Sequence, residues 1–428
     1  MIKSFLPAIM ICTFCCPVLC QSNMVQPVIG KGNARALAIA KKSPLIQSNF
    51  LLLKTNVLKI KNKELRKTTM DAINNPRTIL KHRAGLSLID KISIIQELIR
   101  NNLVDTADEK LFPGGLMAGI FPPVLNDGTS SASVPQPFEA APGSIWGDHH
   151  SYPGGLVMHE SFTQVAAISL GQGYKRVYGS TGNDGLPVYK TNADEAGLMD
   201  IDLLIAASVW HDWAKIFVSQ WNEDGSIFKE FNFGGNGSTD RYGRRGSSKE
   251  QGHHILGIAE MMSRNIAPDV IIAVAACHGV PTAYNEFMVV NWLRTAAIIS
   301  RIDPVQKGFL YMDSLGHYRM KPLRSANNLH TTGNLQNHSQ MLAEYALQQL
   351  GDGDWMFTNP AAHETDFLLE KLATEYGYSV ADTATYNWKF RNVILGFLSS
   401  ERISLIYGNK GIDGVLTELN KLRKKKII

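Results

Sequence analysis

The chain has 428 residues, 44% of them apolar and 19% charged, with 36 Gly, 18 Pro and no low-complexity run, which excludes fibrous and disordered classes and suits one large or two modest globular domains. Its formal charge of +5 averages unlike parts: residues 23–110 carry 16 basic and 7 acidic side chains, residues 111–420 carry 21 and 31, and the run Lys421 to Lys426 adds five positive charges. The acidic middle would repel phosphate backbones, so no nucleic-acid partner is expected.

At the start, Lys3 is followed by the apolar run Phe5 to Cys16 and then by Pro17, Val18, Leu19, Cys20 and Gln21. This is the layout of a secretory signal peptide, predicted over residues 1–22, with export to the periplasm or the medium as the consequence. The apolar core, about a dozen residues, is short of the ~20 needed to span a bilayer. Acylation of Cys20, as in a lipoprotein, is disfavoured by the bulky Leu19 before it. Four of the five cysteines, Cys12, Cys15, Cys16 and Cys20, lie here, so cleavage leaves only Cys277 and no internal disulfide can form.

Residues 23–110 have apolar positions at mixed spacings of three and four, as in Leu45-Ile46, Phe50 to Leu53 and Val57-Leu58, which predicts an N-terminal helical region. Its excess of positive charge predicts that it docks electrostatically on the acidic body. Residues 111–145 shift to Pro, Gly, Ser and Ala and are expected to form a loop before a new unit. In residues 146–330 helices are predicted at Leu156 to Leu170, Ile201 to Phe217, Gly252 to Met262, Pro268 to His278 and Glu286 to Asp303. Pro268 suits a first helical turn and Gly279 a helix end. Phe231 to Gln251 is Gly-rich and reads as an exposed loop bearing Arg241, Arg244 and Arg245. Residues 331–428 again favour helices, and the basic ending reads as a solvated charge run or, more pointedly, as an attachment point for an acidic surface. Strand alternation is rare, so the fold class is all-α.

Seven of the twelve histidines, at 149, 150, 159, 211, 253, 254 and 278, fall within 130 residues of the helical middle. Imidazoles at such density, with carboxylates, are the ligands of first-row metals held in helical bundles. The sharpest element is His211-Asp212 at the end of the apolar run from Ile201 to Trp210, followed one turn later by Lys215. Charge here stands where an apolar stripe would cost less.

Five segments then fall in register: Asp148 to His159, His211-Asp212-Trp213-Ala214-Lys215, Gly252-His253-His254-Ile255-Leu256-Gly257, Ala276-Cys277-His278-Gly279 and Ser300-Arg301-Ile302-Asp303. In order and spacing they resemble the HD-domain superfamily of metal-dependent phosphohydrolases, over about residues 146–304. The resemblance implies an HD-type helical bundle with N- and C-terminal helical extensions. It also implies the ligand set His159, His211, Asp212, His253, His278 and Asp303, with His253 chosen over His254 because consecutive helical residues point about 100° apart. Cys277 stands where some relatives have a further histidine, and a buried structural role is expected for it.

Four imidazoles and two carboxylates exceed the needs of one ion, so the expected cofactor is a pair of divalent transition-metal ions (iron, manganese, cobalt or zinc) bridged by Asp212. Such a pair can acidify a bound water and clamp a phosphoryl oxygen. Lys215 and the Arg241, Arg244 and Arg245 cluster are the expected contacts for a small phosphorylated substrate, with His150 as proton donor or substrate contact. The alternative is a di-iron oxygenase resembling myo-inositol oxygenase, since the same ligand types suit iron.

Overall fold

Some of the helices begin at side-chain caps. The computed structural model describes residues 30–74, 80–122, 136–192, 199–235, 246–281, 285–321 and 342–428. The signal-peptide segment, with Cys20, and the cluster Arg241, Arg244 and Arg245 lie outside these residues. Ser43 joins α1 (Asn33–Lys42) to α2 (Pro44–Val57): its hydroxyl accepts from the Ile46 amide, and Pro44 fills the first helical position. α3 (Lys63–Asn74) follows, then α4 (Leu88–Arg100), which opens on a reciprocal capping box between Ser87 and Asp90. The segment expected as loop is partly ordered, with α5 (Asp108–Leu111), α6 (Gly115–Ile120) and a 3-10 turn at Phe138–Ala140.

The middle of the chain holds α7 (Gly155–Tyr178), α8 (Ile201–Trp210), α9 (Lys215–Val218), α10 (Gly252–Ser263), α11 (Pro268–Cys277) and α12 (Glu286–Ser300). The C-terminal part holds α13 (Ala343–Asp352), α14 (Trp355–Leu372), α15 (Thr383–Tyr386), a π-helical turn at Asn387–Arg391, α16 (Asn392–Leu398) and α17 (Ser400–Lys424). α17 is broken at Gly411, whose φ of 61° lies in the left-handed region. The only strands among the described residues form two antiparallel ribbons: β1 (Asn232–Phe233) pairs with β2 (Glu250–Gln251), and β3 (Leu310–Met312) with β4 (Tyr318–Met320). The fold is all-α. Two boundaries differ from expectation. The helix expected from Ile201 to Phe217 stops at Trp210 and resumes at Lys215, so His211 and Asp212 occupy a break. Phe231 to Gln251 is tied at its ends by the β1–β2 ribbon.

One hydrophobic core takes Ile46 and Leu53 from α2, Leu98 from α4, Leu203 and Trp210 from α8, Leu256 from α10, Ile271 from α11, Leu293 from α12 and Tyr345 from α13. The N-terminal region therefore docks chiefly by apolar burial, and this corrects the electrostatic expectation. Fully burying an aliphatic side chain stabilises by about 1.5–3 kcal/mol, against roughly 0–1 for an exposed ion pair. The pairs Lys31–Glu223 and Asp90–Arg301 that reach the body are of the exposed kind, whereas His82–Glu260 is buried and shielded from salt. A second core joins Leu369 of α14, Phe390, Ile394 of α16 and Leu419 of α17 to Tyr152.

α7 lies at the centre, packed on α2, α8 and α13. Its entry turn is fastened from the C-terminal part: Arg391 donates to the Ser151 carbonyl at 3.0 Å and pairs with Asp366 at 2.8 Å, and its guanidinium lies 4.1 Å from the Trp146 ring centre. Two glycines make the turn possible. Gly154 has φ of 83°, with Ile46 where a Cβ would be, and a Cβ on Gly155 would strike the His150 carbonyl.

Candidate metal centre

Five elements converge on the Asp212 carboxylate. His159 lies on the second turn of α7, His211 and Asp212 at the α8–α9 break, His253 on the first turn of α10, His278 at the C-terminal end of α11, and Asp352 on the last residue of α13. Asp212 Oδ2 lies 3.1 Å from His159 Nε2 and 3.8 Å from His211 Nε2, while its Oδ1 lies 2.9 Å from His253 Nε2 and 3.9 Å from His278 Nε2. The His159 and His211 Nε2 atoms face each other at 3.2 Å, and Asp352 Oδ1 is 3.0 and 3.2 Å from them. Ligand atoms on one ion with bonds of 2.0–2.2 Å stand about 3–3.6 Å apart, so these separations resemble the edges of coordination polyhedra. His253 Nε2 and Asp212 Oδ1, though close, make no well-formed hydrogen bond and are buried. The His159, His211 and Asp212 group and the Asp212, His253 and His278 group are thus fitted to hold metal.

The rings are aimed from behind. His211 Nδ1 donates to the Ser208 carbonyl at 2.9 Å, with Glu160 3.1 Å away. His253 Nδ1 donates to Glu230 at 2.9 Å, and Glu230 also accepts the His253 backbone amide at 2.6 Å. His278 Nδ1 donates to Glu250 at 2.8 Å. A proton fixed on Nδ1 leaves the Nε2 lone pair facing the centre, the tautomer that ligates metal. His159 is the exception: its Nδ1 lies 3.3 Å from Asp354 Oδ1 and forms no hydrogen bond.

Electrostatics follow from this packing of opposite charges. Burial disfavours the charged form of every group here and raises Glu160, but neighbours outweigh it for His159, His211, His253 and Asp212. Asp354 and Asp212 hold His159 well above the usual histidine value, and Glu160 and Asp212 do the same for His211. His253 is pushed up to about 9 by Glu230 and Asp212. Asp212 is held well below the carboxylate range, chiefly by Lys215 and His211. Without metal, protons stand where cations would, and a divalent ion can displace them.

The centre forms one wall of a cavity of about 360 Å³ that is also lined by Ser144, Asp148, His149, Trp355 and Asn359. Lys215 reaches this cavity and donates to Asp212 and to the Gly143 carbonyl, and Asp212 holds its ammonium above lysine's usual value against burial. Cys277 is free and buried, with Sγ 3.5 Å from the Ala273 carbonyl and its thiol pushed well up by burial, in keeping with a structural role. His254 is held apart from the ligands: its Nε2 meets the Ala275 carbonyl at 3.3 Å and its ring stacks on His278.

No family model, curated protein or solved structure matches the chain.

Two expected residues stand elsewhere. Asp303 is exposed and does not reach the cluster, because α12 ends at Ser300, Arg301 takes a φ of 57°, and the Asp303 carboxylate accepts from the Val305 and Gln306 amides at 2.8 and 3.0 Å. Asp352 stands beside His159 and His211 instead. His150 does not line the cavity either: its φ of 52° turns it inward toward Asp354 and Glu401, and His149 takes the wall. Glu160, Glu230, Glu250 and Asp354 were not singled out from sequence. For Asp352 and Asp354 a signal existed, since Gly351-Asp352-Gly353-Asp354 alternates glycine with two carboxylates where the amphipathic helix α13 ends.

Proposed function

We propose that this chain is an exported, metal-dependent phosphohydrolase of the HD type that cleaves a phosphate ester of a small molecule, with two divalent transition-metal ions sharing Asp212. One observation carries the reading: the two oxygens of Asp212 are turned to different histidine pairs, Oδ2 to His159 and His211 and Oδ1 to His253 and His278. A carboxylate so divided is suited to bridging two ions about 3.5–4 Å apart, the spacing of two-metal phosphoryl-transfer sites. Asp352 completes the ligands on the His159 side.

Bound ions would supply Lewis acidity and acidify a water for attack on phosphorus. The chain's own groups do the rest. Glu230, Glu250 and the Ser208 carbonyl keep the ring protons of His253, His278 and His211 on Nδ1. Lys215 holds Asp212 in place and sets a positive charge on the cavity wall, where a phosphoryl oxygen can be received. Burial holds the His149 ring well below the usual histidine value, so this ring adds no positive charge to that of Lys215. Export rests on the arrangement of residues 1–22, and no helix among the described residues is long and apolar enough to cross a membrane.

The test is metal content and turnover of the purified full chain. The expectation is two equivalents of a divalent metal that depend on Asp212, phosphate release from members of a phosphoester panel, and loss of both in Asp212→Ala. Two equivalents of iron with oxygen consumption and no phosphate release would overturn the hydrolase in favour of the oxygenase chemistry. Full metal content in a His211→Ala, Asp212→Ala double variant would overturn the centre itself.

A further inference from the structure

A second, partly buried group of ligating side chains lies on the far side of His159, and its argument leans on the proposed function only through the place of His159 in the centre. His149, His150, His159 and Asp354 each bring one ligand atom within 4.8 Å of the others. The ring centroids of the three histidines form a nearly equilateral triangle with sides of 5.4, 5.2 and 5.4 Å. Three imidazoles on one tetrahedral ion with metal–nitrogen bonds of about 2.0–2.1 Å have centroids roughly 5 Å apart. His149 Nδ1 faces His150 Nδ1 at 3.2 Å.

Two further features point to a ligand. His159 Nδ1 and Asp354 Oδ1 face each other at 3.3 Å and are buried, yet neither has a hydrogen bond. Of the four histidines around Asp212, His159 alone has a second nitrogen that meets only an ion-pair partner, the Asp354 carboxylate, without a well-formed hydrogen bond. His150 repeats the arrangement of the other ligands, for its Nε2 is backed by Glu401 at 3.5 Å and Asp354 Oδ2 at 3.7 Å. Its left-handed backbone, strained for a residue with a Cβ, is pinned where its carbonyl accepts from Gly143 at 2.9 Å and Tyr152 at 2.8 Å. His149 is placed by Asn359, which accepts from its amide at 2.8 Å.

We propose that His149, His150, His159 and Asp354 form an additional cation site for a zinc-like divalent ion, separate from the ions shared by Asp212. Three nitrogens and a carboxylate make a four-ligand set with no position left for substrate, the pattern of a structural ion. Its work is to lock the entry turn of α7 to the start of α14. With ions on both sides, His159 would serve one through Nε2 and the other through Nδ1, which requires that the ring hold no proton.

The test uses zinc alone, added to the metal-stripped full chain and counted by elemental analysis after removal of unbound ion, with circular dichroism as the check on folding. Wild type is expected to retain one equivalent more than His149→Ala and one more than His150→Gln, while Asp212→Ala keeps that equivalent and loses the others. His149 is half-buried on a turn, so His149→Ala remains decisive if His150→Gln does not fold. Unchanged zinc in folded His149→Ala, or loss of all zinc from it, overturns the site. If Asp212→Ala loses nothing while His149→Ala loses one equivalent, the centre at Asp212 fails and this site stands.

Discussion

The two nitrogens of His211, His253 and His278 have separate tasks, and the task away from the centre is done by the Ser208 carbonyl, Glu230 and Glu250. Glu230 is the clearest case, because it binds both the ring and the backbone amide of His253. Glu230→Gln keeps the shape and removes the charge, and zinc affinity should fall by about tenfold or more with His253 still in place. A competition titration against a chromophoric chelator measures this, and unchanged affinity would show that Glu230 only packs. At this scale the sequence was legible wherever a polar side chain interrupted an apolar run: His159, His211, Asp212, His253 and His278 all stand out against buried helices. Asp352 and Asp354 gave a weaker signal, because Asp beside glycine reads as ordinary turn chemistry. Asp303 misled for the opposite reason: its spacing suited a ligand, while its local turn used the carboxylate to cap backbone amides.

Helices hold the centre rigid only if their own contacts are satisfied, and α10 shows how this is done away from the metal ligands. Its Glu260 accepts the Lys81 and His82 amides at 3.1 Å each, meets the His82 ring at 2.7 Å and pairs with Arg264 at 2.7 Å. Burial would raise this carboxyl, but His82 and Arg264 outweigh it and hold it at about 2. A folded value below the unfolded one, about 4.3, gives stability that is present above the unfolded value and is lost as pH falls through about 2. Unfolding midpoints should therefore drop between about pH 4 and pH 2, and Glu260→Gln should unfold earlier at pH 7 while showing a shallower drop in acid. Thermal melts at pH 7 and pH 3 would show it, and parallel behaviour of the two proteins would refute it. Helix existence was legible from periodicity, yet the break after Trp210 was not, because an apolar run does not say where its backbone leaves the helix.

Across the whole molecule, charge and apolar burial make opposite predictions for how the basic N-terminal region is held. Ile46, Leu53 and Val57 are fully buried, whereas Lys31, Glu223 and Arg301 are exposed, so screening has little to act on. The unfolding midpoint should move by no more than a degree or two between 0.05 and 0.5 M sodium chloride, since a shift of 1 kcal/mol moves a midpoint by about 2–4 °C in a chain of 150–250 residues. A large salt-dependent loss would restore the electrostatic account. The basic ending belongs to this scale too: Leu419 and Leu422 are buried in the second core, and Arg423 lies over Tyr376, so the last turn of α17 is packed on one side and charged on the other.

By itself the sequence determined the helical class and the five polar interruptions that supply most of the ligands, because both depend on local periodicity and on the cost of placing charge in an apolar run. The tertiary structure alone decided which carboxylates complete the set. Asp352, Glu230 and Asp354 reach their histidines across 141, 23 and 195 residues of chain, and separations of that kind are set by the packing of α7, α10, α13 and α14, which no local pattern encodes.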